Sequence, residues 1–291
     1  MRKFKEALEA GEFLVTAECG PPKGTDLNEM LKHAKDLLGK VHALNATDNQ
    51  SSVMRVSSLA ICKLLLEMGH DPIFQLTCRD RNRLALQSDI LGAHVLGIKN
   101  ILCLTGDYVT AGDHKAAKPV FDIESSQLLQ VVNTLNSGKD MAGNELHGAT
   151  EMFPGATVTP EAKPIEPQLM KFRKKVKAGS RFFQTQAIYD IENFKNFMKE
   201  ARKHNVKILA GILVLKSAGM ATFLNNNVPG ITVPQNLINE LKAAGKEKAL
   251  STGLDIAART IKAVRDLCDG VHIMAIGMED KVPEIMKRAG L

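Results

Sequence analysis

The sequence predicts a (β/α)8 TIM barrel of the α/β class, in a single domain spanning residues 1–291. Short β-rich segments alternate with longer segments of helical periodicity along the chain. Eight such units fit in 291 residues, and this alternation is typical of parallel sheets built from βαβ units. An open, doubly wound sheet would usually carry a glycine-rich phosphate loop after its first strand, whereas that strand ends here in Glu18-Cys19-Gly20-Pro21-Pro22.

The predicted elements follow in order. Runs rich in β-branched and apolar residues predict eight strands: Phe13–Cys19, Ala43–Asp48, Ile73–Cys78, Ile101–Thr105, Ala156–Thr159, Phe182–Gln186, Lys207–Leu213 and Val271–Ile276. Apolar residues at helical spacing predict the intervening helices: Asn28–Leu38, Ser57–Met68, Arg83–Leu96, Ser125–Leu135, Pro167–Ala178, Ile191–His204, Pro234–Ala244 and Gly253–Leu267. Residues 138–154, between the fourth helix and the fifth strand, are long for a barrel loop, so we interpret them as an inserted surface hairpin.

Composition excludes several classes of protein. Hydrophobic residues make up 44% of the chain, enough for a full core and too many for a disordered tail protein. The net charge of +6 fits an anionic ligand, but aromatic residues are only 4% and Trp is absent, which disfavours a nucleic-acid binder. No apolar stretch is long enough to span a bilayer, and no signal peptide is visible. Five scattered cysteines favour a reducing cytoplasm, and no metal-ligand cluster is expected.

Polar residues stand where the predicted strands end. In a (β/α)8 barrel the carboxyl ends of the strands build the active site. Glu18 ends the first strand, and an unpaired acid at this position is costly to bury unless it has a function. Other strand ends carry hydroxyls, amides and carboxylates: Thr47, Asp48, Gln50, Gln75, Thr77, Thr105, Asp107, Thr157, Thr159, Gln184 and Gln186.

The fifth predicted helix, Pro167–Ala178, carries a basic face. Lys171, Lys174 and Lys175 recur at i, i+3 and i+4, which places them on one side of a helix. Such a run is often only a solvated surface. Its place beside the barrel mouth also fits a site that binds an anionic ligand.

The ordered motifs resemble the methylenetetrahydrofolate reductase family over essentially the full length. The motifs are Glu18-x-x-Pro21-Pro22, Leu76-Thr77-Cys78, Gly106-Asp107, Pro160-Glu161-Ala162-Lys163, Leu169 with Lys174-Lys175-Val176-x-Ala178-Gly179, Gln184-Thr185-Gln186 with Asp190, and Gly211-Ile212-Leu213. The resemblance implies a flavin-dependent (β/α)8 barrel that interconverts 5,10-methylene- and 5-methyltetrahydrofolate.

The resemblance also implies roles for individual residues. Glu18 matches the catalytic acid that protonates the folate, Asp107 the aspartate between flavin and pterin, and Gln186 the glutamine that hydrogen-bonds the pterin. The implied flavin contacts are Thr47, Asp48, Gln50, Gln75, Thr105, Gly106, Asp107, Ala156, Thr157, Thr159, Gln168, Lys171, Lys174 and Lys175. The family usually binds FAD, and FMN stays open here.

Several positions depart from the family pattern, including Cys19-Gly20, where the family has an aromatic residue after the catalytic glutamate. Gln75 stands where a histidine is common, Thr105 where an arginine is, and Gln168 where an aspartate is. Ala187 and Met274 stand where aromatic residues are common. At these positions the sequence resembles the two-subunit reductases of acetogenic anaerobes. In those enzymes a second, zinc-containing subunit accompanies the flavin barrel. Electrons would then come from a redox partner protein, and direct use of NAD(P)H stays open.

Two other functions remain open at this point. A pterin-binding barrel that transfers methyl groups would use similar aspartate and amide contacts, and it would lack flavin. A non-catalytic electron-transfer subunit would bind flavin and no folate. Visible absorbance of the purified protein separates the first from the reductase, and folate binding separates the second.

Overall fold

Eight parallel strands form a closed barrel in sequence order in the computed structural model, which describes residues 1–228 and 230–291. The strands are β1 (Leu14–Cys19), β2 (Ala43–Ala46), β3 (Pro72–Thr77), β4 (Asn100–Leu104), β5 (Phe153–Val158), β6 (Phe182–Ala187), β7 (Lys207–Leu213) and β8 (Gly270–Met274). β1 pairs with β8 through Thr16 and His272, which closes the barrel. The predicted fold class is therefore confirmed, and each predicted strand overlaps an observed one.

In the part of the chain that the structure describes, eleven helices surround the barrel. They are α1 (Phe4–Glu9), α2 (Asn28–Leu37), α3 (Ser58–Glu67), α4 (Arg83–Val95), α5 (Ser125–Asn136), α6 (Glu166–Lys177), α7 (Ile191–Ala201), α8 (Ala218–Asn227), α9 (Gln235–Ala243), α10 (Gly245–Val264) and α11 (Val282–Ala289). None of the helices in the described part of the chain has the length and apolarity needed to cross a membrane.

Three of these helices are absent from the sequence prediction. α1 is only six residues long, and α11 is eight. α8 contains a glycine and three asparagines, which are poor helix formers, and its Ser217 cap accepts a hydrogen bond from the Met220 N–H. The prediction also starts α10 too late, at Gly253. Position 253 lies inside the helix, and it requires glycine because a Cβ there would be 1.8 Å from the carbonyl oxygen of Leu215.

The inside of the barrel is layered. An apolar layer at the amino-terminal end contains Leu14, Phe153 and Phe182, and α1 covers it with Phe4 and Leu8. A polar layer lies above it, in the middle of the barrel, and consists of Thr16, Asn45, Gln184 and His272. The larger apolar core fills the space between the strands and the surrounding helices. The carboxyl end of the barrel is thus the face that carries polar chemistry.

The segment after α5 forms a hairpin-like excursion. Lys139 and Glu145 form an isolated antiparallel bridge, and the Met141 N–H donates to Oε1 of Gln87 on α4. Phe153 and Pro154, which the sequence interpretation included in this segment, belong to β5. As a helix-to-strand connection, the segment begins and ends at the amino-terminal face of the barrel.

Candidate active site

A cavity of about 370 Å³ opens at the carboxyl ends of the strands. Many of the residues that the sequence singles out line it: Glu18, Asp48, Gln50, Gln75, Thr105, Gly106, Asp107, Thr157, Thr159, Lys175 and Gln186. The strand register brings these residues together, although they come from seven separate parts of the chain. Phe, Tyr and Trp are absent from the described residues that line this cavity.

Glu18 lies at the floor of the cavity beside a histidine. Its Oε1 is 3.6 Å from Nε2 of His272, and the side chains are 12% and 4% exposed. The sequence predicts an unpaired acid at this position, and the structure corrects that prediction. His272 is its neighbour because β1 pairs with β8, whose residues are far away in the sequence. Glu18 also borders a second cavity of about 380 Å³ under the β1–α2 loop.

Asp48 is buried and held by several donors. The backbone N–H and the hydroxyl of Thr77 donate to its Oδ2, at 2.9 Å and 2.8 Å. The Arg81 guanidinium donates to both carboxylate oxygens, at 2.7 Å and 3.2 Å. The carboxylate therefore ties the end of β2 to the end of β3, in addition to lining the cavity.

Arg79 is a cavity residue that the sequence reasoning missed. It is 1% exposed, and its guanidinium donates to the Asp80 carboxylate and to the backbone oxygens of Asn49 and Asp107. Gly106 packs directly on it: φ is +93°, and a Cβ there would lie 2.9 Å from Cβ of Arg79. The Arg79–Gly106 contact thus positions the turn that presents Asp107. The run Cys78-Arg79-Asp80-Arg81 after a strand could have signalled it.

Asp107 and Gln186 border the opening. Asp107 is exposed at the rim. Gln186 lies at a register shift between β6 and β7, where the Thr185 hydroxyl accepts a hydrogen bond from the Gly211 N–H at 2.9 Å. An irregularity of this kind re-aims a side chain, and here it turns Gln186 into the cavity.

A smaller cleft of about 140 Å³ adjoins the cavity and carries the basic face. Its lining includes Thr105, Thr157, Thr159, Gln168, Lys171, Lys174 and Lys175. Nζ of Lys175 donates to the carbonyl oxygen of Thr157 at 2.8 Å, and Lys174 forms an ion pair with Glu124. Burial, reinforced by the nearby charge of Lys171, lowers the pKa of Lys175 to about 8. Three cations thus meet at one end of the site, where they can receive an anionic group.

Two predicted contact residues, Ala156 and Thr47, line neither the cavity nor the cleft. The side chain of Ala156 is fully buried in the core between the strands and the helices. Thr47 is also buried, and its hydroxyl has no hydrogen-bond partner among the described residues. Of the departures from the family pattern, Gln75, Thr105 and Met274 line the cavity, Gln168 lines the cleft, and Ala187 packs in a separate apolar cluster.

The donor set suits an organic anion better than a metal ion. Within residues 1–228 and 230–291, three or more His, Cys, Asp or Glu side chains nowhere assemble into a possible metal site. The five cysteines are buried and unpaired by disulfides, and burial raises the pKa of the Cys19 thiol to about 12. The cavity and its cleft instead combine amides, hydroxyls and lysines along one continuous lining, which fits a long ligand with a ring system and phosphates.

Comparison with known proteins places these features in context. The family model described as "Methylenetetrahydrofolate reductase" matches residues 3–290. The chain is 25% identical over 251 residues to methylenetetrahydrofolate reductase 2 of Schizosaccharomyces pombe, covering 80% of this chain and 38% of that protein. It is 28% identical over 228 residues to the 5,10-methylenetetrahydrofolate reductase of Pectobacterium carotovorum, covering 75% and 71%. The chain therefore spans well under half of the yeast relative and most of the bacterial one.

One solved structure has the same fold over nearly the whole chain. An uncharacterized protein from Clostridium thermocellum superposes with a TM-score of 0.66 and 17% identity, covering 98% of this chain and 96% of that one. Its description states that it binds two copies of 5-methyl-5,6,7,8-tetrahydrofolic acid.

Proposed function

The chain belongs to the methylenetetrahydrofolate reductase family, and from this premise we propose that it reduces 5,10-methylenetetrahydrofolate to 5-methyltetrahydrofolate with a bound flavin. The family match and the relatives named as reductases support this activity. The folate-binding neighbour of the same fold supports folate as the ligand. Flavin, when bound, supplies the hydride for this chemistry.

The observation that carries the proposal is the contrast between Glu18 and Asp48. Both carboxylates line the cavity, yet Asp48 is engaged by Thr77 and Arg81. Among the described residues, the Glu18 carboxyl group has no hydrogen-bond donor within bonding distance, and His272 at 3.6 Å is its only ion-pair partner. The third carboxylate of the cavity, Asp107, is exposed at the rim. We therefore assign to Glu18 the proton that goes to the folate and opens the methylene bridge to an electrophilic iminium.

Asp107 and Gln186 would bind the pterin. The aminopyrimidinone edge of a pterin offers both donors and acceptors, which a carboxylate and a carboxamide complement. Asp107 stands at the exposed rim and Gln186 at the re-aimed end of β6, so the two border the space above Glu18. This arrangement would orient the folate with its bridge toward the floor of the cavity.

The flavin would extend from the cavity into the cleft. Gln75, Thr105 and Thr157 line the cavity and could hydrogen-bond the flavin ring, while Lys171 and Lys175 at the cleft suit its phosphate. The unpartnered Thr47 hydroxyl is a further group that a ligand could satisfy. We propose FAD, with FMN as the alternative, since both carry a phosphate.

Purification and a single-turnover experiment test the proposal. We expect the protein to be yellow and to release a flavin whose mass identifies FAD or FMN. After anaerobic photoreduction, 5,10-methylenetetrahydrofolate should reoxidise the flavin and yield 5-methyltetrahydrofolate. A colourless protein that binds folate would support a methyl-transfer barrel, and a flavoprotein indifferent to folate would support an electron-transfer subunit.

A second subunit or redox partner belongs to the same proposal. The electron donor would be a zinc-containing subunit or another redox protein that reaches the flavin at the barrel mouth. Pull-down of the tagged protein from cells in which it is expressed naturally, followed by reduction assays with the recovered partner, tests this part separately.

A further inference from the structure

A closed layer of polar side chains lies directly beneath Glu18. Thr16, Asn45, Gln184 and His272 come from β1, β2, β6 and β8, and each is at most 3% exposed. Buried polar groups are costly unless they are hydrogen-bonded, so this layer must satisfy itself. The hydrogen bonds within the layer determine which nitrogen of His272 carries the proton.

The two amides pair with each other. Nδ2 of Asn45 donates to Oε1 of Gln184 at 2.7 Å, and Nε2 of Gln184 donates to Oδ1 of Asn45 at 3.1 Å. This reciprocal pair uses the Gln184 carbonyl and one of its two N–H groups. The second N–H faces Thr16 Oγ1 and His272 Nδ1, both at 3.3 Å.

Nδ1 of His272 therefore faces donors. Oγ1 of Thr16 lies 2.9 Å from Nδ1, in addition to the Gln184 N–H group. A hydrogen on Nδ1 would oppose the Gln184 N–H, which can only donate. The hydroxyl of Thr16 has two possible acceptors, Nδ1 of His272 at 2.9 Å and the carbonyl oxygen of Val271 at 3.4 Å. Donation over the shorter distance, to Nδ1, lets Oγ1 accept from Gln184 and leaves the imidazole proton on Nε2. Nε2 is the atom 3.6 Å from the Glu18 carboxyl group.

We propose that His272 is a positioning residue for Glu18, held by Gln184 and Thr16 in the tautomer that aims its Nε2–H at the carboxyl group. The proposal rests on the proposed function of Glu18 as the acid. When the Glu18 proton moves to the folate nitrogen, the carboxylate that remains would draw Nε2–H of His272 in from 3.6 Å to hydrogen-bond distance and accept a charge-assisted hydrogen bond from it. His272 itself gains and loses no proton. The second nitrogen of a histidine commonly fixes the tautomer in this way.

The tautomer can be measured independently of activity. Nitrogen-15 NMR of the intact protein with labelled histidine distinguishes a protonated Nε2 from a protonated Nδ1, and the His272→Gln spectrum identifies the His272 signals. We expect the proton on Nε2, and a larger shift of the Nε2 signal than of the Nδ1 signal in Glu18→Gln. The proposal would be overturned by a proton on Nδ1, or by His272 chemical shifts that are the same in Glu18→Gln as in the wild type.

Kinetics separate a positioning role from a structural one. In His272→Leu, folate-driven oxidation of the photoreduced flavin should slow about tenfold or more, short of the full worth of a general acid, which is about 10²–10⁴-fold. Oxidation of the same flavin by ferricyanide needs no proton from Glu18 and should stay unchanged. His272→Gln, whose amide can replace the Nε2–H donor, should recover most of the folate rate.

A matched control and the wild type complete the test. His147→Leu removes an exposed histidine from the excursion after α5 and should change neither rate. Equal slowing of the folate and ferricyanide reactions in His272→Leu would show a structural role and overturn the proposal. Failure of the wild-type protein to react with folate would overturn the proposed function instead, while the NMR result would still decide the tautomer.

Discussion

Asp48 and Arg81 form a buried, bidentate ion pair at the edge of the cavity, with Asp48 1% exposed and Arg81 18%. Arg81 also binds Asp89 on α4 at 2.8 Å. The pair links the end of β2 to the segment after β3, so it holds together two of the loops that shape the site. The first prediction follows from this contact.

Asp48→Ala should destabilise the fold. The substitution removes the acceptor of the buried Thr77 N–H and hydroxyl and leaves Arg81 with Asp89 as its remaining partner, and the loss of such a buried charged acceptor typically costs about 3 kcal/mol. Urea unfolding followed by circular dichroism measures it. Asp122→Ala is the matched control, because the Arg83–Asp122 pair is largely exposed and should contribute little. Equal midpoints for Asp48→Ala and the wild type would contradict the structural role of Asp48.

Glu18→Gln should keep the flavin and lose methylenetetrahydrofolate reduction. The amide preserves the shape of the side chain but cannot supply the proton, so the folate-driven rate should fall about 10²–10⁴-fold. Stopped-flow oxidation of the photoreduced variant by 5,10-methylenetetrahydrofolate measures the loss. A rate within a few fold of the wild type would remove Glu18 from the mechanism.

Replacing Lys174 and Lys175 with Ala should weaken flavin retention while the fold stays intact. Charge-assisted hydrogen bonds contribute about 1.5–3 kcal/mol each, so the flavin Kd should rise at least tenfold. The flavin-to-protein ratio after gel filtration measures this effect. Lys177→Ala, on the same helix but outside the cleft, is the control. Unchanged occupancy in the double variant would mean that the basic face is only a solvated surface.

Flavin affinity should fall as the pH rises through about 8. Burial depresses the pKa of Lys175 to about 8 in the folded apoprotein, from an ordinary value near 10.5. The charged form that binds phosphate is therefore half populated at about pH 8, predominates at lower pH and is lost at higher pH. Because the unfolded chain holds this proton up to about pH 10.5, the same group makes the apoprotein more stable as pH rises between these values.

Fluorescence titration of the apoprotein with flavin between pH 7 and pH 9.5 measures this dependence. Lys175→Arg keeps its charge throughout this range, so its affinity should show much less dependence on pH. A wild-type profile as flat as that of Lys175→Arg would contradict the role of Lys175 in phosphate binding.

The isolated chain should be a poor NAD(P)H oxidase. A nicotinamide must stack on the flavin face, and the described lining of the cavity offers no Phe, Tyr or Trp for it. Each missing aromatic contact removes about 0.5–1.5 kcal/mol beyond area burial, or about two- to tenfold in affinity. Anaerobic reduction by NADH or NADPH, compared with an artificial one-electron donor, checks this. Fast, saturable reduction by either nicotinamide would show a self-sufficient reductase.

Much of the fold and of the site could be predicted from the sequence. Alternating strand and helix periodicity is a local property, so it identified all eight strands and most of the helices. The polar residues at the strand ends were identified for the same reason, because a barrel gathers its strand ends at one face. Short or glycine- and asparagine-rich helices such as α8 were missed, since packing rather than propensity stabilises them.

The sequence by itself determined the barrel, the acid at the end of β1 and the basic face of α6, because each depends on residue type and spacing along one segment. The tertiary structure alone decided which groups surround them. His272 stands beside Glu18 because β8 closes on β1, and Arg79 lies under Gly106 because the ends of β3 and β4 meet. Strand register sets these contacts across large sequence separations, and the pattern within any one strand is compatible with many partners.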